Sequence, residues 1–176
     1  STNTIYTKKC EVIPIEFVVR GYMTGTTQTS IWQNYQMGVR TFCGNQLREG
    51  YKKNDKLDDV IITPTTKSNE HDLPISAKEI VGQGIMTQKD WDTCANYAMT
   101  IFEVGQKISE SKGMVLVDTK YEFGKDKDGH IMLIDEVHTP DSSRYWIKHS
   151  YEERHSKGGE PDNIDKEFIR KWVKNT

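Results

Sequence analysis

The segment Met114-Val115-Leu116-Val117-Asp118-Thr119-Lys120-Tyr121-Glu122-Phe123-Gly124 most limits what this chain can fold into. An apolar lead-in runs into strict alternation. Successive side chains on a strand point to opposite faces, so Asp118, Lys120 and Glu122 share one face and Thr119, Tyr121 and Phe123 the other. A second apolar run, Ile131-Met132-Leu133-Ile134, ends in Asp135-Glu136, and the connector between the runs carries an Asp-Gly turn signal at Asp128-Gly129. The pattern predicts a β-hairpin with one apolar and one charged face. A symmetric register about the turn sets Lys120 opposite Asp135 and Glu122 opposite Leu133. A solvated outer face is the common use of such alternation. The buried-strand composition of both lead-ins argues instead for acids that do chemistry, which stay ionised only beside a lysine or a metal. Few, hard oxygen ligands suit Mg²⁺ held jointly with substrate phosphates, so a metal–nucleotide site is expected.

At 176 residues, 35% apolar and 28% charged, the chain has the size and composition of one globular domain. A net charge of −2 supplies no basic field for nucleic acid, and no window approaches the roughly 18 apolar residues of a bilayer span. Neither a nucleic-acid nor a membrane partner is expected. Cys10, Cys43 and Cys94 are far apart with no CxxC pair, which argues against a disulfide framework or a zinc site and for a reducing compartment. A cytoplasmic location is expected. Because the chain opens on Ser1, an upstream targeting segment, such as one for a plastid, stays open.

Residues 10–20 read as a strand in which Pro14 demands an edge or bulge position, and Glu16, Val18 and Arg20 share a face. A glycine-containing turn over residues 21–27 follows, then a short helical stretch over residues 30–35. Residues 44–73 read as a polar loop region. Thr87 with Asp90 resembles a capping box, and Trp91, Cys94, Ala95, Ala98, Ile101, Phe102 and Ile108 recur at helical spacing up to Gly113, a C′ residue. Trp91, Met99 and Phe102 on this helix are core packing rather than a cofactor box. A last helix is expected over residues 165–175. No repeat appears, and a single α+β domain over residues 1–176 is the simplest organisation.

Four stretches taken in order resemble the SAICAR synthetase family: Val12-Ile13-Pro14-Ile15-Glu16-Phe17-Val18-Val19-Arg20-Gly21-Tyr22-Met23-Thr24-Gly25-Thr26; Lys67-Ser68-Asn69-Glu70-His71-Asp72; Leu116-Val117-Asp118-Thr119-Lys120-Tyr121-Glu122-Phe123-Gly124; and Asp135-Glu136 with Thr139-Pro140-Asp141-Ser142-Ser143-Arg144-Tyr145-Trp146. The resemblance implies an ATP-grasp/kinase-related α+β body of antiparallel sheet and packed helices. It also implies an ATP-dependent ligase joining L-aspartate to carboxyaminoimidazole ribonucleotide, with ATP and Mg²⁺ as cofactors and room for a homo-oligomer. By the same resemblance Glu122 and Asp135 hold Mg²⁺ near ATP. Asp118 and Lys120 line the reacting carboxylate and the metal site, with Asp118 the candidate acceptor of the amine proton. Arg20, Ser143 and Arg144 contact the ribonucleotide phosphate, His71 and Asp72 belong to a loop over the imidazole, and Thr26 stands where the family more often has serine. Nothing before Cys10 resembles the family's lysine-bearing lobe over the ATP phosphates, so the likeness is to the central and C-terminal body with that N-terminal lobe absent.

Two other readings remain at this level. The order of an Asp-x-Lys block, a hairpin and a second acid also fits a kinase-like phosphotransferase, and without the covering lobe the chain also fits a non-catalytic nucleotide-binding unit. His130 and His138 read as surface or structural, since no histidine spacing here suits zinc.

Overall fold

The computed structural model describes residues 4–67 and 72–166. In chain order these form β1 (Glu11–Tyr22), α1 (Ile31–Gln36), β2 (Thr41–Phe42), β3 (Asn45–Gln46), β4 (Lys56–Ile62), β5 (Thr65–Thr66), α2 (Ala77–Gly82), α3 (Gln88–Ser111), β6 (Met114–Lys125), β7 (Ile131–Ile134), β8 (Ser143–Ile147) and α4 (Lys148–His155). The main sheet is antiparallel in the order β4-β1-β6-β7; β5 extends the β4 side of β1, and β8 shares with β7 the outer side of β6. The architecture is the expected α+β one.

Alternation along the central strands splits the sheet into a core face and a chemical face. Ile13, Ile15, Phe17 and Val19 of β1, with Tyr121 and Phe123 of β6, are buried against Trp91, Cys94, Ala98 and Phe102 of α3. Phe17 stacks on Trp91 at 5.1 Å between ring centroids and meets Phe123 edge-on at 5.2 Å, both favoured aromatic geometries. The Thr87 hydroxyl accepts from the Asp90 N–H at the start of α3, and Gly113 follows its end at φ 72°, a backbone that favours glycine.

Several expectations are corrected. The β6–β7 register is one residue off the symmetric one: Glu122 faces Ile134 and Phe123 faces Leu133. The core decides this, because a one-residue slip exchanges the faces, and the observed register lets Ile131 and Leu133 pack with the buried cluster. Pro14 does lie in a bulge, between the Val12 and Glu16 pairings, but β1 is an interior strand rather than an edge. The polar region 44–73 contains β3, β4 and β5, and its β4 carries Asp58 and Asp59 as an edge strand does. Ile108 is 59% exposed instead of buried. Helices α2 and α4 were not evident from periodicity. Most of the helix expected over 165–175 lies outside the described residues.

Candidate active site

On the chemical face the antiparallel register stacks charges in rows. Arg20 of β1 lies opposite Asp118 of β6, which in turn lies opposite Arg144 of β8. One carboxylate oxygen, Asp118 Oδ2, accepts from Arg20 Nη1 at 3.3 Å and also from Arg144 Nη1. The three side chains are only 12–18% exposed. Two guanidinium groups against one carboxylate leave a net positive charge in a partly desolvated row, which suits a phosphate. Burial pulls the Arg20 guanidinium below its ordinary value, the Asp118 charge opposing the shift. The remaining edge of Arg20 is fixed from a loop, its Nε donating to the Thr63 hydroxyl at 2.8 Å.

Four residues further along the sheet, past the Val18–Lys120 pair, Glu16 lies directly opposite Glu122. Like charges so placed repel, and lysines cancel them. Lys120 Nζ lies 3.1 Å from Glu16 and 2.5 Å from Glu122 Oε1, while Lys67 Nζ reaches Glu122 Oε2 at 2.5 Å. Thr65 Oγ1 donates to the second Glu16 oxygen. Burial pushes Glu122 up, but the hydrogen bonds and charges of Lys120 and Lys67 prevail and hold it below the usual carboxylate range. For Lys120, burial pulls down and the two glutamates more than reverse it, so its ammonium is held well above the ordinary lysine value. Asp135 follows β7 in left-handed backbone, φ 63°, and its carboxylate comes to 3.6 Å from Lys120. The predicted convergence of acids on Lys120 is therefore present, although the register differs.

The arginine row, with Glu16 and Lys120 of the second row, faces one cleft of about 390 Å³, lined also by Asp72 and Ser143; Glu122, Asp135 and Lys67 lie beside it and are not among its lining residues. Ser143 Oγ pairs with Thr119 Oγ1 at 2.7 Å. Thr26 lines a smaller cleft that shares Arg144. His71 lies outside the described residues. Sequence reasoning did not single out Thr63, which sits in loop without periodicity, and assigned no role to Lys67, although it opens one of the quoted motif stretches, or to Glu16, although its place on the Arg20 face was visible. Glu136, Ser142 and Asp141 also line the cleft.

Three acids converging on two lysines offer hard oxygen donors with no sulfur or imidazole among them, a set compatible with Mg²⁺ arriving with phosphates. Among the described residues the grouping with full metal-ligand spacing is Asp126, Asp128 and His130, in the exposed β6–β7 turn and apart from the cleft.

A sequence model of the SAICAR synthetase family matches residues 1–176. The chain belongs to the SAICAR synthetase family. It is 58% identical over 172 residues to the chloroplastic phosphoribosylaminoimidazole-succinocarboxamide synthase of Arabidopsis thaliana, covering 98% of this chain and 42% of that protein. The Saccharomyces cerevisiae SAICAR synthase complexed with SAICAR superposes with a TM-score of 0.76 at 33% identity, covering 95% of this chain and 51% of that one. A type-2 SAICAR synthetase in complex with ADP superposes with a TM-score of 0.70 at 25% identity, covering 92% of this chain and 57% of that one. The chain spans about half the length of the curated SAICAR synthases it matches. No helix among its described residues is long and apolar enough to cross a membrane.

Proposed function

We propose that the cleft serves ATP-dependent ligation of L-aspartate to carboxyaminoimidazole ribonucleotide, giving SAICAR, ADP and phosphate. The observation that carries the reading is the segregation of charge along one sheet face: a net-cationic Arg20–Asp118–Arg144 row and, beside it, the Lys120 ammonium between Glu16 and Glu122, with Lys120 and Glu16 lining the same cleft as the arginines. Such a cleft can hold a phosphate monoester at one end and manage a reacting carboxylate and a triphosphate at the other. A family member bound to SAICAR and another bound to ADP support the ligand classes. A carboxylate is a poor electrophile, so the γ-phosphoryl group is transferred to it first, and the aspartate amine then displaces phosphate from the acyl phosphate.

In this reading Arg20, Arg144 and Ser143 anchor the ribonucleotide phosphate and fix the orientation of its distant carboxylate. Asp118, spent on two guanidinium groups, positions that clamp rather than taking the amine proton. Lys120 screens the approach of the carboxylate to the phosphoryl group. Thr26 and Asp72 contact the substrate from the rims. Glu122 and Asp135 are the residues that would hold Mg²⁺, which when bound supplies charge neutralisation to the phosphate oxygens. All reactants are water-soluble, which fits cytoplasm or plastid stroma. The deciding assay follows ADP release that requires both aspartate and the ribonucleotide. Release without aspartate, with phosphate passed to another acceptor, would make the protein a phosphotransferase instead.

A further inference from the structure

We propose that Thr63 is a positioning residue that orients Arg20 and thereby sets the site's preference for a phosphorylated over a dephosphorylated substrate; this rests on the phosphate reading of the arginine row. Thr63 follows β4 and is 1% exposed. Its N–H donates to the Val18 carbonyl at 2.8 Å and its hydroxyl to the same carbonyl at 3.3 Å. A hydroxyl has one proton and two lone pairs, so with the proton committed to backbone it can only accept from Arg20 Nε. The guanidinium is then tied at Nε by Thr63 and at Nη1 by Asp118, and Nη2 keeps donors for a ligand in the cleft.

The chemistry of the anchor matters as much as its place. A carboxylate at position 63 would cancel the one net positive charge of the row, whereas a neutral acceptor fixes the fork and leaves that charge for phosphate. An arginine side chain has many rotamers, and ordering it before binding removes that cost from the binding step. The supporting backbone is itself stiff, since Val18 lies on the interior strand β1 directly opposite Lys120 of β6.

The test compares the ribonucleotide with its 5′-dephosphorylated nucleoside, with ADP as control, by calorimetric titration of the intact polypeptide. Thr63→Val is expected to weaken the ribonucleotide roughly tenfold and to leave the nucleoside and ADP unchanged, while Thr63→Ser restores the preference. If Thr63→Val does not fold, Thr63→Ala removes the same acceptor and is read the same way. Equal losses for all three ligands would make Thr63 merely structural, and an undiminished preference would show that Arg20 does not need it; either overturns the proposal. An unsubstituted protein that binds nucleotide and nucleoside alike would overturn the phosphate reading, and this inference with it.

Discussion

Glu122 and Asp135 carry the same proposed role in different surroundings, so their substitutions separate folding from chemistry. The Glu122 side chain is 5% exposed and holds two ammonium groups. Glu122→Gln removes the carboxylate that Lys67 and Lys120 share, Lys120 keeping Glu16 and Asp135, and is expected to lower stability by about 1–2 kcal/mol, less than for a fully buried pair because Lys67 is half exposed. Asp135 is half exposed in left-handed backbone, a conformation asparagine accepts readily. Asp135→Asn should therefore leave the urea midpoint unchanged. Both variants are expected to lose turnover; near-normal rates at ordinary Mg²⁺ would remove these acids from the metal. Arg144→Ala deletes one fork of the phosphate clamp and should weaken the ribonucleotide by about 1.5–3 kcal/mol with ADP affinity intact. Equal losses for the two ligands by calorimetry would move Arg144 to a structural role.

Among elements, α3 supports the site through a glycine. A Cβ on Gly105 would lie 2.2 Å from His138 Cε1, so helix and site loop touch where only glycine fits. His138 sits at φ 55° with Nε2 2.5 Å from the Tyr121 hydroxyl, in the loop that bears Asp135 and Glu136. Gly105→Ala gains about 1 kcal/mol of helix propensity but forces the ring away, and the clash should win by about 1–3 kcal/mol. The expected outcome is a lower melting temperature together with reduced turnover; a stabilised, fully active variant would show that the loop yields freely. The sequence made β1, α1, α3 and the β6–β7 hairpin legible because each buries a periodic apolar face. It hid β4, whose Asp58 and Asp59 look like loop, and α2, whose single turn and a half is set by the Ser76–Glu79 capping box more than by periodicity. It also left the hairpin register one residue adrift, since Leu133 and Ile134 are equally apolar and only packing against the core chooses between them.

At the scale of the whole molecule, strand pairing assembles the site from distant parts: Arg20 and Asp118 are 98 residues apart. Periodicity could place each on a charged face, but not say that the two faces were one, and only the family motifs joined them in advance. Thr63 escaped, and Lys67 was quoted in a motif without a role, because a loop residue's role is fixed by where the sheet carries it. The same network that makes the site also ties stability to pH. Burial holds His138 below its ordinary value of 6.5, so its contribution is complete above that value and fades as pH falls through the depressed one. The carboxylates follow at lower pH. Lys125 and Thr87 depress Asp90, and Lys120 and Lys67 depress Glu122 despite its burial. Their contributions are present above the unfolded carboxylate range of about 4 and vanish below it. Urea midpoints between pH 8 and pH 3 should therefore decline in two stages, the first beginning near pH 6.5 and the second near pH 4. His138→Asn, which keeps a residue tolerant of positive φ, should erase the first stage and spare the second. A midpoint that stays level down to pH 5 in the unsubstituted protein would mean that the ring is solvated in solution and that Gly105 does not enclose it.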